Sequence, residues 1–97
     1  MRVLVTGASG FIGLSVISHL TKINCQVLAI SRKTVNATGT NTRWLSADLS
    51  NPSTYKDSIT SFSPEVVIHL AWQDIPDFSF ENSCQNLNQS LELLKIV

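Results

Sequence analysis

Residues 1–13 read MRVLVTGASGFIG, and this stretch decides the fold. Its first part, Arg2–Thr6, is apolar and rich in β-branched residues, which is typical of a buried strand. Three glycines follow at intervals of three residues: Gly7, Gly10 and Gly13. Glycine permits a tight turn and lets another backbone or a ligand come close. The stretch therefore predicts a strand that turns sharply into a helix at Phe11.

The composition limits the class of protein. The chain has 97 residues, of which 43% are hydrophobic and 14% charged, so we predict one globular domain. Its net charge is zero, which argues against nucleic acid or an anionic membrane surface as a partner. No apolar run approaches the length of a membrane span, and the glycines interrupt any signal-peptide pattern. A cytoplasmic setting is the resulting expectation.

The two cysteines, Cys25 and Cys84, do not form a C-x-x-C motif. We interpret them as reduced structural thiols, because isolated cysteines with this spacing seldom bind metal or carry redox chemistry. No metal site is predicted.

Short apolar runs alternate with longer helical patterns. The predicted strands are Arg2–Thr6, Gln26–Ile30, Arg43–Ala47 and Val66–Ala71. The predicted helices run from Phe11 to about Lys22, from Ser50 or Asn51 to Phe62, and from about Glu81 onward. Residues 33–42 and 72–80 read as loops. This β-α-β-β-α-β-α order favours a Rossmann-type, doubly wound parallel α/β sheet, of which the chain would hold the N-terminal four-strand portion.

Each predicted helix carries an apolar stripe, which indicates a side that faces a core. The stripe of the first helix consists of Ile12, Val16 and Leu20, and that of the second of Tyr55, Ile59 and Phe62. The last helix has Leu87, Leu91 and Leu94 on one side. Its pattern has no stop signal before residue 97. We therefore expect a longer domain whose catalytic strands, helices and substrate lobe lie beyond this sequence.

The glycine turn is suited to binding a pyrophosphate. A helix N-terminus presents unpaired N–H groups and the positive end of its dipole to an anion. Gly7 would supply a positive φ, Gly10 would let a phosphate approach the backbone, and Gly13 would let the helix pack tightly on the sheet. The hydroxyls of Thr6 and Ser9 would add donors. The alternative is a tight turn that binds no ligand.

Four ordered motifs resemble one family. TGASGFIG resembles the T-G-x-x-G-x-x-G signature of the short-chain dehydrogenase/reductase superfamily, and its Phe-Ile pair resembles the extended branch, the NAD(P)-dependent epimerase/dehydratase family. ADLSN, PEVVIHLAW and NLNQSLELL resemble later motifs of that family in the same order. With the residues after the second strand, the resemblance implies a cofactor site of Gly7, Ser9, Gly10, Phe11, Ile12, Gly13, Ser31, Arg32, Lys33, Asp48, Leu49, Leu70, Ala71, Trp72 and Asn86.

The resemblance also implies roles for individual residues. Asp48 would face the adenine amino group; alternatively, it caps a helix or forms an Asx turn. The end of the fourth strand would pack along the cofactor, with His69 in a packing role rather than a catalytic one. Trp72 would wall the cleft or fill the core.

The residues after the second strand bear on the choice of dinucleotide. Sites that prefer NAD usually have an acidic residue there for the ribose 2′-OH. Here Ser31 stands 18 residues after Gly13, followed by Arg32 and Lys33. An arginine can grip a 2′-phosphate, so the pattern favours NADP(H) over NAD(H). The alternative is that both cations are solvated loop charges.

The resemblance implies an oxidoreductase that transfers hydride to or from a carbonyl or alcohol, with a nucleotide sugar as substrate and a possible homodimer. Family members use a Tyr followed four residues later by a Lys. The single tyrosine, Tyr55, is followed at that spacing by Ile59. No catalytic residue is therefore assigned. The alternatives are a non-catalytic NADP(H)-binding or sensing module and an inert fragment.

Overall fold

The computed structural model describes residues 1–33, 41–71 and 79–97. The strands are β1 (Arg2–Thr6), β2 (Gln26–Ser31), β3 (Thr42–Ser46) and β4 (Val66–His69). The helices are α1 (Phe11–Lys22), α2 (Lys56–Phe62) and α3 (Phe80–Ile96). A 3₁₀ turn, Pro52–Thr54, precedes α2.

The four strands form one parallel sheet in the order β3-β2-β1-β4. Thr6, the last residue of β1, pairs with Ile30 of β2 on one side and His69 of β4 on the other. The chain thus moves outward from β1 to β3 and then crosses to the opposite side of β1. This reversal confirms the predicted doubly wound topology and opens a crevice at the carboxyl ends of β1 and β4.

The sheet is covered on both faces. On one face, Ile17 of α1 packs in a cluster with alternate residues of the two central strands, including Val3, Val5, Val27 and Ala29. On the other face, Tyr55, Ile59 of α2 and Leu93 of α3 pack on a cluster that includes Leu4, Leu28 and Ile30. Because β1 and β2 are buried on both faces, their sequences are continuous apolar runs without alternation.

The predicted apolar stripe of α1 is confirmed at Val16 and Leu20, which pack against the core, and is wrong at Ile12. Ile12 is 62% exposed, and the buried residues of the helix are Gly13 and Ile17. Val16 and Leu20 are half-buried beside that line. The helix approaches closely where Gly13 has no side chain, so the line of contact passes through Gly13 rather than Ile12.

The predicted orientation of α3 is also wrong. Leu87, Leu91 and Leu94 are exposed, whereas the buried residues of the helix are Asn82, Asn86 and Leu93. The inward side of α3 lies near the carboxyl ends of β1 and β4, where polar groups need hydrogen-bond partners. Polar residues therefore occupy the buried side.

Several boundaries differ by one to four residues from the prediction. The second helix begins as a 3₁₀ turn, and its α-helical part starts at Lys56. Strand β4 ends at His69 rather than Ala71. Tyr55 faces the core as predicted, and its hydroxyl donates to the Leu49 carbonyl oxygen at 3.2 Å. Both cysteines are free thiols, Cys25 buried and Cys84 half-buried. Within the described ranges, no helix has the length and apolarity to cross a bilayer.

Candidate functional site

A cleft of about 290 Å³ opens at the carboxyl edge of the sheet. Every strand or the segment after it contributes to its walls, because parallel strands end at the same edge. Its lining residues are Gly7, Ser9, Gly10, Ile30, Ser31, Arg32, Lys33, Ala47, Asp48, Leu49, Leu70, Ala71 and Gln89. The structure thus brings together four predicted segments that are far apart in the sequence.

The turn after β1 depends on Gly7. Its φ is +65°, a left-handed conformation that favours glycine. A Cβ at this position would lie 2.8 Å from both the Ala71 nitrogen and the Leu70 carbonyl carbon. The turn is held by hydrogen bonds from Ala8 N to Ile30 O at 3.1 Å and from Gly10 N to Gly7 O at 3.2 Å. Gly7 therefore lets the chain turn and lets the segment after β4 approach.

Gly13 is required for a different close contact. A Cβ there would lie 2.4 Å from the Gly7 carbonyl oxygen and 2.7 Å from that of Ala8. At Gly13, helix α1 therefore packs tightly against the turn, and at Ile17 it packs on the sheet.

Gly10 is the open position of the three. A Cβ would meet only the Gly7 carbonyl oxygen, at 3.4 Å, which is ordinary van der Waals contact. The first intrahelical bond runs from Leu14 N to Gly10 O at 3.0 Å. The amides of the three preceding residues, Phe11, Ile12 and Gly13, are therefore the N–H groups that a helix N-terminus leaves without an intrahelical partner.

Phe11 and Ile12 belong to the first turn of α1 but do not line the cleft. Their side chains are 90% and 62% exposed. They lie instead along a shallow groove with Ile68 of β4.

Ser31 builds the wall next to the glycine turn. It is 4% exposed, and its hydroxyl donates to Ser9 Oγ at 2.7 Å while accepting from Lys33 N at 3.0 Å. The side chains of Arg32 and Lys33 are exposed and line the cleft. The serine thus shapes the turn, and the two cations supply positive charge at the end of β2.

Asp48 lines the cleft and forms the Asx turn that was one of its predicted alternatives. Its Oδ1 accepts from Ser50 N at 2.9 Å and Ser50 Oγ at 2.7 Å, which forms an Asx turn. These hydrogen bonds, and more weakly the charge of Arg32, lower the pKa of Asp48 from its ordinary value of 3.8. The carboxylate lines the cleft while its Oδ1 is engaged in the turn, so it stays an anionic acceptor at neutral pH.

Thr6 and His69 lie beneath the cleft and bond to each other. Thr6 is fully buried, and its hydroxyl oxygen accepts from Ala71 N at 3.3 Å and lies within hydrogen-bond distance of His69 Nδ1. The Thr6 hydroxyl is therefore turned into the protein and does not face the cleft as predicted. Burial lowers the pKa of His69, in keeping with its predicted packing role.

The remaining predictions lie in or beyond α3. Asn86 is 2% exposed and does not line the cleft; its Nδ2 donates to the Asn82 carbonyl oxygen at 3.0 Å. Gln89, three residues later on the same side of the helix, reaches the cleft instead. Trp72 lies outside the described residues.

Three lining residues, Ile30, Ala47 and Gln89, were not predicted from the sequence. Ile30 could have been found from the register of the sheet, because it pairs with Thr6 immediately before the glycine turn. Ala47 directly precedes Asp48, and Gln89 lies one helix turn beyond Asn86.

The sequence of the chain matches the NAD dependent epimerase/dehydratase family over residues 3–96. The chain belongs to this family. This epimerase/dehydratase chain is 34% identical over 88 residues to the probable dTDP-glucose 4,6-dehydratase of Sinorhizobium fredii. The alignment covers 81% of the chain and 25% of the dehydratase.

Solved structures share the fold of this epimerase/dehydratase chain. WbmG of Bordetella bronchiseptica, in complex with NAD, superposes with a TM-score of 0.83 at 19% identity, over 99% of this chain and 33% of that one. The UDP-glucose 4-epimerase of Thermus thermophilus, also with NAD, gives a TM-score of 0.80 at 26% identity over the same shares. The chain thus spans a quarter to a third of these three proteins, and it has the Rossmann-type fold of the short-chain dehydrogenase/reductase superfamily.

Proposed function

We propose that this chain binds the adenosine and pyrophosphate half of a nicotinamide dinucleotide in the cleft. The observation that carries the proposal is the first turn of α1, whose amides have no intrahelical partners and which begins at Gly10 on the cleft wall. The pyrophosphate lies on Gly7–Gly13, the adenosine ribose beside Ser31–Lys33 and the adenine beside Asp48–Leu49. The NAD found in the similar Thermus thermophilus epimerase supports this assignment.

Isothermal titration calorimetry with halves of the cofactor tests this proposal. ADP carries the adenosine and both phosphates, so it should bind the chain with a large share of the affinity of NAD⁺. Nicotinamide mononucleotide lacks the adenosine half and should bind far more weakly. Equal affinities for the two halves, or no binding of NAD⁺, would contradict the proposed site.

We infer further that the site prefers NADP(H) to NAD(H). The sequence from Ser31 to Thr40 contains no carboxylate that would repel a 2′-phosphate. Arg32 and Lys33 line the cleft with exposed cationic side chains, and a guanidinium grips a phosphate with a forked pair of hydrogen bonds.

Arg32→Ala is the corresponding prediction. Removing a charge-assisted hydrogen bond at an exposed site should weaken NADPH binding about tenfold, which is about 1.4 kcal/mol. NADH binding should change little, because NADH lacks the 2′-phosphate. Calorimetric titration with NADPH and with NADH gives the ratio of mutant to wild-type affinity for each cofactor.

Arg43→Ala is the matched control, because Arg43 is exposed on β3 and does not line the cleft. This variant should bind both cofactors like the wild type. A wild-type chain that binds NADH as tightly as NADPH would overturn the inferred preference.

We propose that the whole protein transfers hydride to or from a carbon of a nucleotide sugar, with this chain as its cofactor-binding portion. The sequence similarity to a dTDP-glucose 4,6-dehydratase and a UDP-glucose 4-epimerase supports the substrate class. Tyr55 is buried and bonded to Leu49 O, so the catalytic tyrosine would come from beyond residue 97.

Proton NMR of dTDP-glucose and UDP-glucose incubated with a longer protein that continues this sequence tests the reaction. Conversion of either sugar supports the enzyme. Dinucleotide binding without conversion of any nucleotide sugar would favour the non-catalytic sensing module.

We also propose that the whole protein forms a homodimer. Phe80, Leu87 and Leu94 recur at seven-residue intervals on the exposed side of α3, with Leu91 beside them. Apolar residues at this interval can pair with the same face of a second copy around a two-fold axis. Leu87→Gln with Leu94→Gln should shift the sedimentation coefficient from dimer to monomer, and an unchanged dimer would assign the contact to another surface.

A further inference from the structure

Three side chains from three elements form a continuous series of hydrogen bonds beneath the cleft. The Ala71 amide donates to Thr6 Oγ1 at 3.3 Å, and Thr6 Oγ1 bonds to His69 Nδ1. On the other edge of the imidazole, His69 Nε2 lies 2.9 Å from Ser90 Oγ. The Ser90 hydroxyl donates to the Asn86 carbonyl oxygen at 2.9 Å. The series therefore joins the end of β1, the end of β4 and the middle of α3.

The direction of these bonds follows from counting protons. A hydroxyl has one proton to donate. Ser90 gives its proton to Asn86 O, so it must accept from His69 Nε2–H. A neutral imidazole then has an unprotonated Nδ1, which accepts the proton of Thr6. Every group in the series is satisfied only when His69 is neutral and carries its proton on Nε2.

Both ends of this series lie next to residues that line the cleft. Thr6 immediately precedes Gly7, and Ala71 packs against the position of the missing Gly7 side chain at 2.8 Å. Ser90 follows Gln89, the residue of α3 that lines the cleft. A displacement of the imidazole would therefore move Ala71 and Gln89, which form part of the same cleft.

We propose that His69 is a positioning residue for the dinucleotide site, and that its neutral Nε2–H form holds Ala71 and helix α3 at the cleft wall. This inference rests on the proposed function, since it concerns the same cleft. It adds that dinucleotide affinity depends on the protonation state of a residue that does not line the cleft.

The charged groups of the surrounding elements do not oppose this assignment. In the described residues of β1 and α3 they are exposed side chains: Arg2, Glu81, Glu92 and Lys95. Arg2 pairs with Glu65 at 3.7 Å and Lys95 with Glu92 at 3.1 Å, while Cys84 of α3 is a half-buried thiol. Burial is the cause that lowers the pKa of His69 below 6.5.

The sign of the pH effect follows from this lowered pKa. The folded chain binds the proton less readily than the unfolded chain, so the contribution of neutral His69 to stability is fully present above pH 6.5. It is lost as the pH falls from there through the lowered pKa. Protonation places a hydrogen on Nδ1, and the Thr6 hydroxyl proton then loses its acceptor.

Nitrogen-15 NMR of the ligand-free chain tests the tautomer directly. At pH 8 the His69 ring should show a protonated Nε2 and an unprotonated Nδ1. The only other histidine is His19, which is exposed on α1, so a His19→Gln variant assigns the signals. A protonated Nδ1 in neutral His69 would overturn the proposal, whether or not the chain binds a dinucleotide.

Calorimetric titration with NAD⁺ tests the positioning role. NAD⁺ is the probe because the 2′-phosphate of NADP⁺ would itself titrate near pH 6. Ser90→Ala should weaken binding about three- to tenfold, as expected for one neutral hydrogen bond. Ser83→Ala, seven residues earlier on the same side of α3 and also half-buried, should bind like the wild type.

The pH profile separates positioning from general destabilisation. Wild-type affinity for NAD⁺ should be constant above pH 6.5 and fall as the pH drops through the lowered pKa of His69. His69→Phe should bind more weakly at pH 8 and show no further fall down to pH 5. One contrary result is a wild type that binds NAD⁺ while Ser90→Ala binds equally tightly, and another is a His69→Phe variant that keeps the wild-type pH profile. Either result would overturn the positioning role and leave the proposed function intact. A wild-type chain that does not bind NAD⁺ would overturn the proposed function and the positioning role together.

Discussion

Gly10→Val is expected to weaken dinucleotide binding by about a hundredfold, because it displaces one or two charge-assisted hydrogen bonds of about 1.5–3 kcal/mol each. The added side chain would start on the cleft wall, in front of the first-turn amides of α1. Its backbone, at φ −73° and ψ 171°, is extended and open to any residue. The free energy of unfolding should therefore change little. Calorimetric titration measures the first effect and urea unfolding followed by circular dichroism measures the second.

Gly10→Ala provides the graded control. Its single methyl group would make only ordinary contact with the Gly7 carbonyl oxygen, at 3.4 Å. This variant should bind with an affinity between those of the wild type and Gly10→Val. Wild-type affinity in Gly10→Val would mean that the pyrophosphate does not lie on the first turn of α1.

Gly13→Val, the same change three residues later, is expected to destabilise the fold instead. A Cβ at Gly13 would lie 2.4 Å from the Gly7 carbonyl oxygen. The turn that contains this oxygen is fixed by the hydrogen bond from Ala8 N to Ile30 O. Overpacking of this kind destabilises by about 1–3 kcal/mol and occasionally by more. Because a domain of this size is stable by only about 5–15 kcal/mol, a large share of its stability would be lost. The shift of the urea midpoint measures the effect.

Ser18→Ala is a suitable control for Gly13→Val, since Ser18 is exposed on the same helix. Its stability should lie within about 0.5 kcal/mol of the wild type. If Gly13→Val unfolds at the wild-type urea concentration, helix α1 does not pack against the turn as closely as described.

The sheet could be predicted from the sequence because its central strands are buried on both faces. The runs at β1 and β2 are apolar throughout, and this signal does not depend on any distant residue. The inward side of a helix does depend on distant residues. The periodicity of α3 revealed a leucine stripe, but the side that faces the sheet carries Leu93, which packs in the core, and Ser90, which bonds to His69. No local pattern contains these distant partners.

The sequence predicted those residues of the candidate site that lie at or just after the ends of strands. Gly7, Ser31, Asp48 and Leu70 come after or at the ends of four strands, and parallel strands bring such residues to one edge. The contribution of α3 was assigned to Asn86, although Gln89 lines the cleft. One helical turn separates Asn86 from Gln89, and the sequence does not determine the position of α3 along the sheet.

The hydrogen bond between Thr6 and His69 has a consequence for folding during synthesis on the ribosome. The two residues are 63 positions apart, and at about 5–20 residues per second the first emerges some 3 to 13 s before the second. During that interval β1 and β2 can pair, since they need only the residues up to Ser31. The glycine turn meanwhile lacks the Ala71 contact that supports it. In the nascent chain, β1 and β2 can thus pair before the residues that complete the cleft have emerged.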